Sequence, residues 1–166
     1  MRSLSLLFAL AIVATFTAGC QFEFKSTEGP VAGDRINDPS VEDRLADARA
    51  RRGDYYAKRL ELFINETPNE KKGGIVFVGD SITESFPLET AFPGRNVINR
   101  GISGDKIGGV TERLDVSVEE LEPEEIYLMI GINEFVWSDM EPPQTMRAEF
   151  VELLDGLLAR DERVAV

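Results

Sequence analysis

Four consecutive apolar, mostly β-branched or aromatic residues, Ile75-Val76-Phe77-Val78, run straight into Gly79-Asp80-Ser81. A run of that length without polar alternation is the signature of a strand buried on both faces, as in a parallel sheet. A glycine at its end lets the backbone turn sharply. The stretch therefore fixes the fold class more tightly than any other: an α/β domain in which a strand delivers a hydroxyl to the rim of a sheet.

The rest of the chain fits that frame. A helix is expected from about Val41 to about Asn65, broken at Gly53, with Leu45, Ala48, Tyr55, Leu60, Leu62 and Phe63 as its apolar face. Thr67-Pro68-Asn69 ends it, and Lys71-Lys72-Gly73-Gly74 forms a turn. Ile75–Val78 is the first strand. A second lies over Asn96–Asn99, a third over Glu125–Ile130, and a fourth begins at Arg163. Between them fall helical stretches at Lys106–Leu114, with Glu119–Leu121 continuing, and a longer one opened by Pro143. That last helix carries Met146, Phe150, Leu153, Leu154, Leu157 and Leu158 at three-to-four spacing. Strand–helix alternation implies a parallel sheet with helices on both faces.

The N-terminus reads differently. Arg2 precedes an apolar run from Leu4 to Phe16, then Thr17-Ala18-Gly19-Cys20. One positive charge, a short apolar run and small residues describe a secretory signal over residues 1–19 rather than a membrane span. Ala18-Gly19-Cys20 resembles the lipobox of bacterial lipoproteins, with Thr17 in place of the usual aliphatic residue. That resemblance implies acylation of Cys20, an exported protein held by its lipid in the periplasm or at the outer membrane, and sorting to the outer membrane permitted by Gln21. An ordinary signal peptide with an incidental cysteine is the plainer alternative. Residues 20–40 read as the lipidated cysteine and a polar tether, and 41–166 as the domain. Cys20 is the chain's single cysteine, so no internal disulfide can form. Removing residues 1–19 leaves 17 basic and 30 acidic residues, a formal charge of −13. Such acidity argues against nucleic acid and against electrostatic attachment to anionic lipid.

Three unusual segments each follow a strand, where open α/β sheets form their sites. After the first comes Gly79-Asp80-Ser81, placing a hydroxyl and an N–H at a helix start, where the helix dipole favours negative charge. After the second comes Gly101-Ile102-Ser103-Gly104-Asp105, in which Gly104 offers an unobstructed backbone N–H. After the third comes Gly131-Ile132-Asn133-Glu134, in which Asn133 offers a side-chain NH2. One nucleophile and three donors are the equipment for stabilising a tetrahedral oxyanion in acyl transfer. Alone, each segment is only a turn, a loop glycine or a capping residue.

Together they resemble the SGNH hydrolases, the GDSL esterase/lipase family, and in particular its platelet-activating-factor acetylhydrolase-like branch. Gly79-Asp80-Ser81-Ile82-Thr83 is similar to block I, with Ser81 as nucleophile. Gly101–Asp105 is similar to block II and Gly131-Ile132-Asn133 to block III, with Gly104 and Asn133 completing the oxyanion hole; Glu134 stands where Asp is common. The resemblance runs from about Tyr55 to Val166. It implies a flavodoxin-like three-layer α/β/α sandwich, incomplete at its C-terminal side, and hydrolysis of a small acyl ester, an acylated sugar or a lysophospholipid without metal or cofactor.

The family's Asp-x-x-His block, whose histidine takes the serine proton, has no counterpart: the chain contains no histidine. Asp80, Glu84, Asp105, Glu134 and Lys106 lie near the motifs, but a carboxylate of ordinary pKa is a weak base for a hydroxyl, and a lysine would need depression by burial. These charges otherwise cap helices or solvate the rim. The expectation is an esterase that is inactive or impaired as this chain, with an apolar fourth-strand edge favouring aggregation or disorder near the C-terminus. A non-catalytic lipoprotein binding an acyl glycan or lipid on the same scaffold is the alternative. A flavodoxin-like ligand module ranks behind both, because no phosphate-binding glycine signature follows a strand.

Overall fold

The computed structural model describes residues 39–136, 143–158 and 163–165. Two helices come first, α1 (Pro39–Arg52) and α2 (Asp54–Glu66). They are separated by Gly53 at φ 90°, a left-handed conformation that a glycine adopts without strain. The helix therefore breaks where the sequence predicts, although α1 opens at Pro39, two residues inside the expected tether. Its apolar face differs from expectation in two places. Tyr55 is 53% exposed and Leu62 39%, whereas Tyr56, Ala57 and Ile64 are buried with Leu60 and Phe63. Past the break at Gly53 the helix restarts with a shifted phase, so spacing read across it misplaces the inward face. Thr67–Asn69 closes α2 as a 3-10 turn.

Strands β1 (Ile75–Gly79), β2 (Val97–Gly101), β3 (Glu125–Met129) and β4 (Arg163–Ala165) form one parallel sheet in the order β2-β1-β3-β4. That is the flavodoxin-like order, which reverses direction between β1 and β3 and opens a crevice there, beyond the strands' carboxyl ends. Short helices α3 (Ser81–Glu84) and α4 (Leu88–Ala91) connect β1 to β2. Helices α5 (Ile107–Glu112) and α6 (Leu114–Ser117) with the 3-10 turn Glu119–Leu121 connect β2 to β3. Helices α7 (Ile132–Val136) and α8 (Pro143–Leu158) follow β3.

Side chains alternate across a strand, and the two faces of the sheet fare differently. Val76, Val78, Ile98, Ile126 and Leu128 pack against Ile107, Val110, Leu114, Leu153 and Leu157 in the main core. A second cluster joins α1 and α2 to Ile102 and Val116. On the opposite face Phe77 stacks on Tyr127, ring centroids 4.9 Å apart, and meets Phe92 and Phe86 at 5.3 and 6.2 Å. An apolar groove of about 620 Å³ is lined by Phe77, Phe86 and Tyr127 together with Ile82, Thr83 and Met129. Tyr127 and Met129 remain 39% and 53% exposed, so this layer is thin among the described residues, and the expectation of a first strand buried on both faces holds fully on one only. In α8, Leu153 and Leu157 are buried while Leu158, expected on the same face, is exposed.

Candidate active site

The parallel register sets Gly79 beside both Gly101 and Met129. The three predicted motifs thus emerge from neighbouring strands at one end of the sheet, at the point where strand order reverses. The two glycines are sterically required. A Cβ on Gly79 would sit 2.2 Å from the Met129 carbonyl oxygen, and one on Gly101 2.2 Å from the Glu84 nitrogen.

Asp80 is the N-cap of α3. Its Oδ1 accepts the Ile82 N–H at 2.9 Å, and the side chain is buried. Ser81 follows as the first helical residue, half-buried at the rim. The helix it opens is four residues long, too short for a macrodipole of consequence, so any help to negative charge here comes from individual N–H groups rather than from the helix as a whole.

The segment after β2 folds back over β1. Ile102 N–H donates to the Gly79 carbonyl at 3.0 Å, and Asp105 N–H closes a turn onto the Ile102 carbonyl at 3.1 Å. Gly104, third in that turn, has φ 78°, as a type II turn requires. It is exposed, and nothing lies within 4 Å of where a Cβ would stand. Asn133 is buried in α7 and donates its Nδ2 to the Asp105 carbonyl at 2.8 Å. An amide nitrogen carries two hydrogens, so one orients the side chain against the Gly104–Asp105 segment and a second is left for another acceptor.

The carboxylates near the motifs all have structural work. Asp105 is fully buried against Arg113, whose Nε and Nη2 each lie 3.0 Å from its Oδ2, and its Oδ1 accepts the Lys106 N–H. Burial pushes the Asp105 carboxyl up, opposed by the Arg113 charge and the Lys106 N–H. Glu134 Oε1 accepts the Ile107 N–H at 2.6 Å, starting α5. Glu84 Oε2 accepts the Ser103 N–H at 2.6 Å, while its Oε1 pairs with Arg59 Nε at 3.3 Å and accepts from the Tyr55 hydroxyl. That hydrogen bond, with some help from burial, raises the Tyr55 phenol above its ordinary value. Asp80 and Glu134 therefore bond N–H groups at helix starts and Glu84 stands at the rim, as expected, whereas Asp105 departs from that expectation: it is buried in an ion pair with Arg113.

Sequence reasoning missed the cations behind this rim. Arg113, with no exposed side-chain surface, also donates to the Gly79 carbonyl at 3.2 Å and to Ser117 Oγ at 2.8 Å, tying β1 to the turn at Asp105. Arg59 donates to the Gly101 carbonyl at 3.1 Å. Both lie over the Phe63 ring, 5.6 and 5.0 Å from its centroid. Only their position among buried apolar neighbours, Val110 and Leu114 for one and Leu60 and Phe63 for the other, could have flagged them. A polar recess of about 370 Å³ beside the turn is lined by Arg51, Arg52, Tyr55, Tyr56, Ser103, Gly104, Asp105 and Lys106. Among the described residues no group of three or more His, Cys, Asp or Glu is placed to hold a metal, and no helix is long and apolar enough to cross a membrane. Cys20 and the 1–38 segment lie outside the described residues.

Ser81 thus stands in a turn at the switch point of a flavodoxin-like parallel sheet. The fold is that of the SGNH/GDSL hydrolases, as solved structures show. A protein from Streptococcus pneumonia, named as a platelet activating factor, is 25% identical with a TM-score of 0.54, over 78% of this chain and 58% of its own. An acylhydrolase, so named, from Bacteroides fragilis is 20% identical with a TM-score of 0.58, over 67% of this chain and 56% of its own. A GDSL-like lipase from Bacteroides thetaiotaomicron is 19% identical with a TM-score of 0.57, over 63% of this chain and 55% of its own. The chain thus spans less than three-fifths of the length of each. No family model and no curated protein matches it.

Proposed function

We propose that this chain carries the nucleophile and oxyanion donors of an SGNH-type ester hydrolase. Ser81 Oγ attacks the acyl carbon, and the N–H groups of Ser81 and Gly104 and the second Nδ2 hydrogen of Asn133 receive the oxyanion. The observation that carries this reading is the Asn133 Nδ2 bond to the Asp105 carbonyl, which ties the side-chain donor that follows β3 to the Gly101–Asp105 segment that follows β2, one residue beyond Gly104.

The base is not among these residues. The chain has no histidine, and the carboxylates nearest the motifs are committed to N–H groups and arginines. We therefore assign impaired turnover to the chain by itself. An oxyanion hole without a working triad retains roughly 10³–10⁴-fold over water in serine hydrolases. Substrates of this reading are small acyl esters, acylated sugars or lysophospholipids. Reaction with a fluorophosphonate probe tests it: slow labelling of the native chain and none of Ser81→Ala is expected. Labelling that persists in Ser81→Ala overturns the assignment. The missing histidine equally favours a non-catalytic binder of an acyl glycan or lipid, which predicts saturable binding of such a ligand with no labelling.

We further infer export and lipid anchoring at Cys20 in the periplasm or at the outer membrane of a bacterium, supported by the signal-like run and the Ala18-Gly19-Cys20 sequence. Incorporation of an alkyne fatty acid that is lost in Cys20→Ser is expected; equal incorporation in both chains refutes it.

A further inference from the structure

Glu84 sits one helical turn after Ser81, at the end of α3. Its own N–H donates to the Asp80 carbonyl at 2.9 Å, so it moves with the nucleophile's turn. Its side chain, 16% exposed, crosses to the other motif and accepts the Ser103 N–H at 2.6 Å. Ser103 and Gly104 are both exposed, and they form the two central positions of the turn from Ile102 to Asp105. The ends of that turn are otherwise fixed, Ile102 by Gly79 and Asp105 by Arg113, and Gly101 just before it is held by Arg59. Its tip is held by Glu84.

We propose that Glu84 is a positioning residue: it clamps the Ser103 peptide to the Ser81 helix and so aims the following amide, Gly104 N–H, at the same point as the Ser81 hydroxyl. The proposal deepens the oxyanion-hole reading and rests on it for its catalytic consequence. A type II turn can rotate its central peptide, exchanging the direction of the Gly104 N–H with that of the Ser103 carbonyl. The N–H that Glu84 holds belongs to the Ile102–Ser103 peptide, one before the central peptide, so the carboxylate fixes the base from which the Gly104 N–H is aimed and leaves less freedom for the loop to shift. A charge-assisted bond is the strong form of that contact. Arg59 and the Tyr55 hydroxyl hold the other carboxylate oxygen, so the clamp is itself braced from α2. Nucleophile, donor loop and N-terminal helices thereby become one body.

The experiment uses the native chain, Glu84→Gln and Glu84→Ala, with three readouts. These are the rate of Ser81 labelling by a fluorophosphonate, the amide ¹⁵N–¹H shifts of Ser103 and Gly104, and the spectrophotometric titration of the tyrosines. Glu84→Ala is expected to slow labelling about tenfold to a hundredfold, the scale on which a misplacement of about 1 Å acts. The Ser103 and Gly104 resonances are expected to shift, and the phenol that Glu84 holds high, Tyr55, to titrate lower. Glu84→Gln keeps an acceptor oxygen and is expected to restore most of the labelling rate and the Ser103 shift. Labelling of Glu84→Ala at the native rate, or failure of Glu84→Gln to rescue while the chain stays folded, overturns the proposal. If no variant labels, the esterase reading fails. The amide shifts then decide the clamp alone: Ser103 and Gly104 resonances unmoved in Glu84→Ala refute it, and shifts that Glu84→Gln reverses sustain it.

Discussion

Arg113 and Asp105 meet at 3.0 Å with neither side chain exposed to solvent, and the same guanidinium reaches the carbonyl of Gly79. The pair joins the turn that carries Gly104 to the strand that delivers Ser81. A buried ion pair is poor evidence of net stability, but breaking it leaves an uncompensated charge in the core. Asp105→Asn is therefore expected to cost about 3–5 kcal/mol in urea unfolding. Replacing both partners, Asp105→Ala with Arg113→Met, removes the stranded charge and is expected to recover at least half of that loss. A double variant no more stable than Asp105→Asn would show that the hydrogen bonds to Lys106, Ser117 and Gly79, rather than the charges, hold the turn.

The glycines of the first two motifs separate by cause. At Gly79 and Gly101 an added methyl meets backbone at 2.2 Å, so either strand or loop must move. Gly79→Ala and Gly101→Ala are each expected to destabilise by about 1–3 kcal/mol or more, the range for overpacking a rigid site. Gly104→Ala meets no atom but must hold φ 78°, a cost of about 1–2 kcal/mol for a residue with a Cβ. Melting temperatures ordered with Gly104→Ala nearest to the native chain check the distinction.

The sheet was legible because β-branched runs and their glycine ends are local. Ile75–Val78 and Gly79 announce a strand and its turn without reference to anything distant. The break at Gly53 and the start at Pro143 are legible for the same reason, each being a backbone constraint of one residue. The three motifs could be ordered because each follows a strand. What could not be read is how they are fastened. Glu84 was one of several acids near the motifs, and nothing local sets Arg59 or Arg113 apart from the chain's other arginines. Their roles depend on partners far away in sequence, at Ser103, Gly101 and Gly79. The thin cover over Phe77 and Tyr127 was equally hidden, since an apolar strand reads the same whether both its faces are packed or one.

The docking of α1 onto α6 predicts an acid-sensitive contact. Arg44 donates to both oxygens of Asp115 at 2.6 and 2.8 Å. Burial pushes the Asp115 carboxyl up, but the hydrogen bonds from Arg44 and from the Val116 N–H outweigh it and leave the group below its usual value of 3.8. A carboxyl depressed on folding binds fewer protons in the native state than in the unfolded one. Its contribution is full above the unfolded pKa and is lost as pH falls through the folded one. Stability is thus expected to drop below about pH 4. Asp115→Asn is expected to lower stability at neutral pH and to flatten that acid limb. An unfolding midpoint that falls as steeply in Asp115→Asn as in the native chain would assign the acid sensitivity elsewhere.

The absent base makes the sharpest prediction about chemistry. When Ser81 attacks a fluorophosphonate, its oxygen bonds to phosphorus, fluoride leaves, and the hydroxyl proton must pass to an acceptor. Asp80, Asp105 and Glu134 are buried and bonded to backbone N–H groups, so they are poorly placed to take it. An imidazole supplied in solution titrates near neutrality, close to the histidine side chain's value of about 6.5, and can serve. Labelling of Ser81 is expected to rise in proportion to the free-base imidazole concentration and to increase with pH through that range. Ser81→Ala should show no labelling at any concentration. Asn133→Ala, which removes a donor to the developing oxyanion, is expected to reduce the imidazole-dependent rate about 10²- to 10³-fold. A native rate independent of imidazole would mean that a group within these residues already takes the proton. A rate that responds to imidazole but not to Asn133→Ala would remove Asn133 from the oxyanion hole and leave it as the anchor of the Asp105 carbonyl.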